Sequence, residues 1–251
     1  MVDLHAAAVA SGDIHLGSSK TDARKNSVVQ LTIPPLTEAA TVFFIGGAGD
    51  KTSYYFSGPN YNVVRAQEIL DSRVSDLLDQ RLYAPWYLGY YEVHSKSDIK
   101  KNVMARIPSK TAPVYIVGHS LGAWNGAHLS RILTDAGYNV VMLVTLDPVG
   151  GGTIVTLGSA IWAHSESKPN AKVWINVHAA PRHPDPSDSV ANFGDRWIIK
   201  SGPNVNVDVD ANHADAGAIF NVRLANGMTV PDIVEKSIRS WTRIAASEPS
   251  K

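Results

Sequence analysis

The sequence predicts an α/β fold with a mostly parallel central sheet and helices on both faces. Runs of apolar and β-branched residues alternate along the chain with segments of helical period. One of those runs, Ala112 to Val117, passes through Gly118-His119-Ser120-Leu121-Gly122 directly into a helical pattern. Thr41 to Ile45 reads as a buried strand ending in Gly46-Gly47-Ala48-Gly49. Val63 to Leu82 carries Ile69, Val74, Leu77 and Leu78 at helical spacing, and Trp86 to Val93 returns to strand. Asp98 to Ile107 reads as a short helix with Ser97 as its N-cap. Val114 to Val117 is a strand, followed by a helix from about Leu121 to Ala136 with Gly137 as its C-cap. Asn139 to Leu146 and Val173 to Val177 are further strands, and Val205 to Val209 alternates strictly. Pro181 to Pro186 reads as a loop. Pro231 opens a last amphipathic helix in which Ile233, Val234, Ile238 and Trp241 share a face.

Length and composition narrow the function classes. The 251 residues suit one large domain with a well-buried core, so a single domain over 1–251 is expected. Lys and Arg number 23 against 23 Asp and Glu, which leaves no global field to attract nucleic acid. The absence of Cys removes disulfides, a thiol nucleophile and Cys-ligated metal centres, and fits either cytosol or an exported protein. The first ten residues lack Lys and Arg, and no apolar stretch approaches the length of a membrane span. The expectation is a cytoplasmic protein, or one exported without a cleaved signal, and not an integral membrane protein.

Chemistry concentrates at residues 118–122. A serine hydroxyl is a poor nucleophile until a base takes its proton and the backbone holds it clear of its neighbours. A strand-to-helix elbow does the second task by forcing Ser120 to positive φ, which leaves room only for glycine two residues either way, at Gly118 and Gly122. The elbow also aims the Leu121 N–H at a developing oxyanion.

These residues and their order resemble the α/β-hydrolase superfamily, and more narrowly its lipase, esterase and thioesterase branch. The likeness covers roughly residues 40–225. It rests on Gly46-Gly47-Ala48-Gly49 after an early strand, Gly-His-Ser-Leu-Gly at 118–122, Leu146-Asp147-Pro148-Val149 after the next strand, and His213 after the last. The resemblance implies an α/β-hydrolase fold and a catalytic triad in the order nucleophile, acid, histidine.

His213 is the candidate base, because Asn212-His213-Ala214-Asp215 follows the alternating strand where the family carries its histidine on a loop. His178 and His183 are rivals; His119 adjoins the nucleophile and points away, His128 lies inside the next helix, and His5 and His15 precede the sheet. The favoured candidate for the acid is Asp147, in Leu146-Asp147-Pro148, which resembles the Leu-Asp-Pro acid of pancreatic-type lipases. The alternative is Asp188, similar to the Asp-x-Val-Pro acid of fungal lipases with Ala191 in place of the proline. Whichever is not the acid caps a helix or anchors a turn. Leu121 supplies one oxyanion donor, and Gly47 or Ala48 the second. A phosphate loop at Gly46–Asp50 lacks the Gly-Lys-Ser/Thr ending of a nucleotide site.

Tyr54, Tyr55, Phe56 and Tyr61 form an aromatic stretch without clear period, and Tyr55 and Phe56 are expected to offer an apolar wall to an acyl chain. Asp208, Asp210, His213 and Asp215 have the spacing of a metal set, but a catalytic histidine cannot also be a ligand, so no metal and no cofactor is expected. The expected substrate is a small-molecule acyl ester or lipid, as for an esterase, lipase, thioesterase or phospholipase, with transient contact to a membrane surface. Two other readings stand beside it. One is an antibacterial lipase effector neutralised by an immunity protein; the other is a non-catalytic binding module on the same fold.

Overall fold

The computed structural model of the chain describes residues 38–53, 58–150 and 166–247. The single-domain expectation takes in residues 1–37, and the substrate-wall expectation names Tyr55 and Phe56; these lie outside the described residues. Among the described residues the strands are β1 (Ala40–Gly46), β2 (Tyr83–Gly89), β3 (Pro113–His119), β4 (Asn139–Leu146), β5 (Val173–Ala179) and β6 (Val205–Val209). They pair in one sheet of order β2-β1-β3-β4-β5-β6, every neighbouring pair parallel.

Parallel strands require crossovers, and the crossovers cover both faces, which is why β1, β3 and β4 read as nearly continuous apolar runs. Alternate residues divide between two cores. Val42, Phe44, Tyr115, Val117, Val144 and Ile175 face one side, where α1 (Asn62–Arg73) contributes Val63, Ala66 and Leu70. On that side lie also Phe220 of α5 (Ala216–Phe220) and Val234 and Ile238 of α6 (Val230–Ser247). Phe43, Ile45, Val114, Ile116 and Leu143 face the other, against Trp124, Ala127 and Leu133 of α3 (Leu121–Asp135). Full burial of each such Phe, Ile or Leu contributes about 1.5–3 kcal/mol before entropy is counted. At the edge, β6 packs Val205, Val207 and Val209 inward and leaves Asn206 and Asp208 in solvent, the origin of its strict alternation. Opposite it, β2 tolerates Pro85 because an edge strand needs only one of its two hydrogen-bonding rows.

Several boundaries differ from the sequence reading. The helix expected over 63–82 breaks at Val74 (φ −118°, ψ 25°) into α1 and α2 (Ser75–Asp79); the apolar spacing runs through the break because both pieces pack on the same core. The strand expected over Trp86 to Val93 starts at Tyr83 and stops at Gly89. There the Glu92 carboxylate accepts the Gly89 N–H (2.8 Å) and turns Tyr90–Val93 into a single 3₁₀ turn. Ser95, not Ser97, caps the next segment, accepting from the Asp98 N–H (3.1 Å), and residues 96–106 are an irregular succession of α, π and 3₁₀ turns. A helix absent from the reading, α4 (Pro186–Phe193), follows the Pro181 to Pro186 loop, with Asp185 as its N-cap. No helix of the described residues is long and apolar enough to cross a membrane.

Strand order places the site. From β1 the chain moves outward to β2, then returns past β1 to β3, so the loops leaving β1 and β3 diverge and open a crevice at their carboxyl ends. Those loops carry Gly46–Asp50 and Ser120.

Candidate active site

Ser120 has φ 56° and ψ −128°, the positive φ expected of the elbow. Such a conformation costs a non-glycine residue on the order of 1–3 kcal/mol and persists only where the surroundings fix it. Here the Ser120 N–H donates to Leu146 O (3.0 Å), while its carbonyl accepts from Ala123 N (2.9 Å) and from Val149 N (3.2 Å), so β4 and its following loop grip the turn. The glycines answer to close packing. A Cβ on Gly122 would stand 2.1 Å from the Ile45 carbonyl oxygen, and one on Gly118 would stand 2.5 Å from that of Gly122.

His213 reaches the same point from the loop between β6 and α5. Its Nε2 lies 2.9 Å from Ser120 Oγ and its Nδ1 lies 2.6 Å from Asp147 Oδ2. Asp147, at φ 41°, is wholly buried; its N–H donates to Val177 O (2.7 Å) and its Oδ1 accepts the Ala179 N–H (3.2 Å). Burial opposes its ionisation, but the hydrogen bond and charge of His213, with Arg196 and His178 nearby, outweigh that and hold the carboxyl below its usual range. A carboxylate in this position selects the tautomer that has its proton on Nδ1, which leaves Nε2 free to accept the serine proton.

Asp188 is in the same site but grips the other end of the histidine. Its Oδ1 accepts the His213 backbone N–H (3.1 Å) and Arg196 Nη2 (2.6 Å), and its Oδ2 accepts the Asp185 N–H (3.0 Å). With its amide oriented to match its neighbours, Asn212 Nδ2 donates to Asp188 Oδ2 and to the His183 carbonyl, each at 3.0 Å. Asp188 therefore anchors the turn before the imidazole and does not bond the ring. Its carboxyl is lowered despite burial, by the Asp185 N–H, Arg196 and the His213 N–H.

Of the rival histidines, His178 Nε2 stands 3.7 Å from Asp147 Oδ1 and its Nδ1 3.3 Å from Asp208 Oδ1. His183 meets the site through its carbonyl, which accepts from Asn212. His119 is buried, and its Nε2–H donates to the His213 carbonyl (2.7 Å). Burial, then the adjacent His213, pushes its ring down to about 3, so it stays neutral and acts as a prop for the histidine loop. The metal-like set is dispersed: Asp208 faces His178, Asp210 accepts the Arg182 N–H (2.8 Å), and Asp215 caps α5 through the Ala218 N–H (3.1 Å).

The glycine loop after β1 lies against Ser120. A Cβ on Gly47 would stand 2.7 Å from Ser120 Cβ and 3.0 Å from its Oγ, so only a bare backbone fits there. Gly47 is buried and Ala48 exposed; among the described residues neither N–H has an acceptor, and Leu121, at the first turn of α3, has none within its helix. Asp50 fixes the loop from beneath, accepting the Val63 N–H at the start of α1 (3.0 Å) and the Tyr87 hydroxyl (2.6 Å). Burial raises its carboxyl against those two hydrogen bonds. The protein's own carboxylate thus takes the helix N-terminus that a phosphate loop would leave for its ligand.

The supporting roles of Arg196, His119 and the Asp50–Tyr87 pair escape a sequence reading. Asp50 follows the glycine run and is visible only as a loop residue, and Tyr87 looks like one more strand aromatic. Arg196 lies in a stretch without period.

No protein-family model matches the sequence, and no curated protein matches it. Solved structures that resemble the chain include a candidate hydrolase of the alpha/beta superfamily from Xanthomonas campestris pv. campestris, at 13% identity over 85% of this chain and 100% of that one, TM-score 0.38. A metagenomic carboxyl esterase has 11% identity over 83% and 77%, TM-score 0.38. A candidate YdeN-like hydrolase from Pectobacterium atrosepticum has 16% identity over 83% and 92%, TM-score 0.39. The order of the parallel strands and the Ser120 elbow at their carboxyl end give this chain the α/β-hydrolase fold.

Proposed function

We propose that the chain is a serine hydrolase of carboxylic esters acting through an acyl-enzyme, with Ser120 as nucleophile, His213 as base and Asp147 as acid. The observation that carries this reading is the unbroken hydrogen-bonded line Ser120 Oγ, His213, Asp147 beside the bare Gly47 backbone. Ser120 Oγ attacks the carbonyl carbon as its proton passes to His213 Nε2. The negative charge that develops on the carbonyl oxygen is met by the N–H of Leu121 and that of Gly47 or Ala48. Collapse expels the alcohol, which takes the proton from His213, and a water activated by the same nitrogen then hydrolyses the acyl-serine. The test is labelling by a fluorophosphonate: one equivalent on Ser120, blocked by a competing short p-nitrophenyl ester, is expected. No label, or label on another residue, overturns the reading.

The acyl substrate is lipid-like, an oxygen ester or a thioester. This part rests on the sequence resemblance to lipases and on the aromatic stretch from Tyr54 to Tyr61. Replacing both Tyr55 and Phe56 by Ser is expected to lower kcat/KM for a long-chain ester by about 10-fold or more, at on the order of 1 kcal/mol for each aromatic contact, and to spare an acetate or butyrate ester. Equal losses on long and short chains would remove the lipid assignment.

A further inference from the structure

Arg196 touches both carboxylates of the site. Its Nη2 donates to Asp188 Oδ1 at 2.6 Å, the oxygen that also accepts the His213 backbone N–H, and its Nε stands 3.2 Å from Asp147 Oδ2, the oxygen that accepts the imidazole Nδ1–H. The Nε contact is ionic, without hydrogen-bond alignment. The backbone that carries the guanidinium is tied to the loop after β4. Arg196 pairs with Val149 in an antiparallel bridge, flanked by Gly150 N–H to Asp195 O (3.2 Å) and Trp197 N–H to Pro148 O (2.8 Å). Its side chain is 12% exposed, while those of Asp188 and Asp147 are 4% and 0% exposed.

We propose that Arg196 is a positioning residue of the proposed hydrolase: a single cation shared by Asp147 and Asp188 that ties the ring and the backbone of His213 to one support and reduces the negative charge behind the imidazole to one unit. Two buried carboxylates without a cation would hold net charge −2 beside the ring. They would stabilise the imidazolium before any substrate arrives, and the protonated ring cannot accept the serine proton. With Arg196 the net charge behind the ring is −1, which still offsets the imidazolium as it forms.

The other groups that face the imidazole or its acid do not supply this balance. His119, from the end of β3, is neutral and meets the loop through a carbonyl. His178, from β5, stands 3.7 Å from Asp147 and is turned also to the exposed Asp208 of β6. Ser120 carries no charge, and Asp215, on the same loop, is turned to the first turn of α5. Arg196 also differs from an ordinary ion pair, because each of its carboxylates bonds a different part of the same histidine.

The inference rests on the hydrolase reading, so its test includes a measurement that needs no turnover. The titration of the His213 ring is followed by NMR in the Ser120→Ala protein, and the acid limb of kcat/KM for a short ester is followed in the active one. Arg196→Met keeps the aliphatic stem and removes the charge; both titrations are expected to move to higher pH by on the order of one pH unit. Arg196→Lys restores the charge without the fork and is expected to return most of that shift. Asp188→Asn removes a negative charge from the other side and is expected to move both titrations to lower pH. Opposite signs for Arg196→Met and Asp188→Asn cannot come from general loosening of the fold. If Arg196→Met does not fold, the Arg196→Lys and Asp188→Asn pair decides. An unmoved or downward titration in folded Arg196→Met, or an unmoved or upward one in Asp188→Asn, overturns the proposal. Failure of the hydrolase reading alone leaves the NMR titrations of the Ser120→Ala proteins shifted while the parent protein, with Ser120 in place, takes no fluorophosphonate label.

Discussion

Ser120→Ala is expected to lower kcat for short p-nitrophenyl esters by at least about 10³-fold while the protein keeps its fold. The hydroxyl is the only group the substitution removes. The backbone bonds that define the elbow, from Ser120 N–H to Leu146 O and from Ala123 and Val149 N–H to Ser120 O, do not involve the side chain. Alanine meets about the same steric cost at φ 56° as serine, and the space beside Gly47 is not reduced. His213 loses its Nε2 partner but keeps Asp147 on Nδ1 and its anchored N–H. A thermal midpoint within a few degrees of the parent, together with loss of turnover, is the expected pair of results. What remains is catalysis by the oxyanion donors and binding alone. Retention of more than a tenth of parental turnover would remove Ser120 from the mechanism.

Much of this architecture is legible in the sequence where local and global preferences agree. The run from Ala112 through Gly122 combines a β-branched strand, a turn that only glycines permit two residues either side of Ser120, and a helical period, so no other local structure satisfies it. Asn139 to Leu146 coincides with β4 to the residue because apolar runs buried on both faces end where the backbone must turn. The break at Val74 is not legible, since α2 resumes with its apolar residues facing the same core. The stop at Gly89 depends on a carboxylate three residues on, which competes with a strand pattern that the aromatics continue. The sequence ranks Asp147 above Asp188, by its place straight after a strand and its Leu-Asp-Pro likeness, yet leaves both open for a physical reason: both follow strands whose ends meet at one histidine. Arg196 carries no periodic signal, because its placement comes from an isolated bridge to Val149 outside the sheet, a contact between residues 47 positions apart.

Asp147→Asn is expected to cost on the order of 10³- to 10⁴-fold in kcat, and Asp188→Asn less than about 10-fold. The two oxygens of Asp147 face donors on both sides: Ala179 N–H at Oδ1, His213 Nδ1–H and the Arg196 guanidinium at Oδ2. An asparagine at this position has one oxygen to offer. If it serves Ala179, the amide NH₂ faces the cation of Arg196 and donates to His213 Nδ1, which forces the proton onto Nε2 and leaves the ring unable to accept from Ser120. If the amide is turned over, its NH₂ meets the Ala179 N–H, a buried donor facing a donor, at a cost of about 1–3 kcal/mol. Either orientation also withdraws the negative charge that offsets the imidazolium in the transition state. In Asp188→Asn the lost acceptor falls on groups that hold the loop, so stability declines while the Ser120, His213 and Asp147 line remains. Turnover of a short ester measured beside thermal midpoints separates the two effects. A larger loss of kcat in Asp188→Asn than in Asp147→Asn, with both proteins folded, would transfer the acid's role to Asp188, which accepts the histidine's backbone N–H.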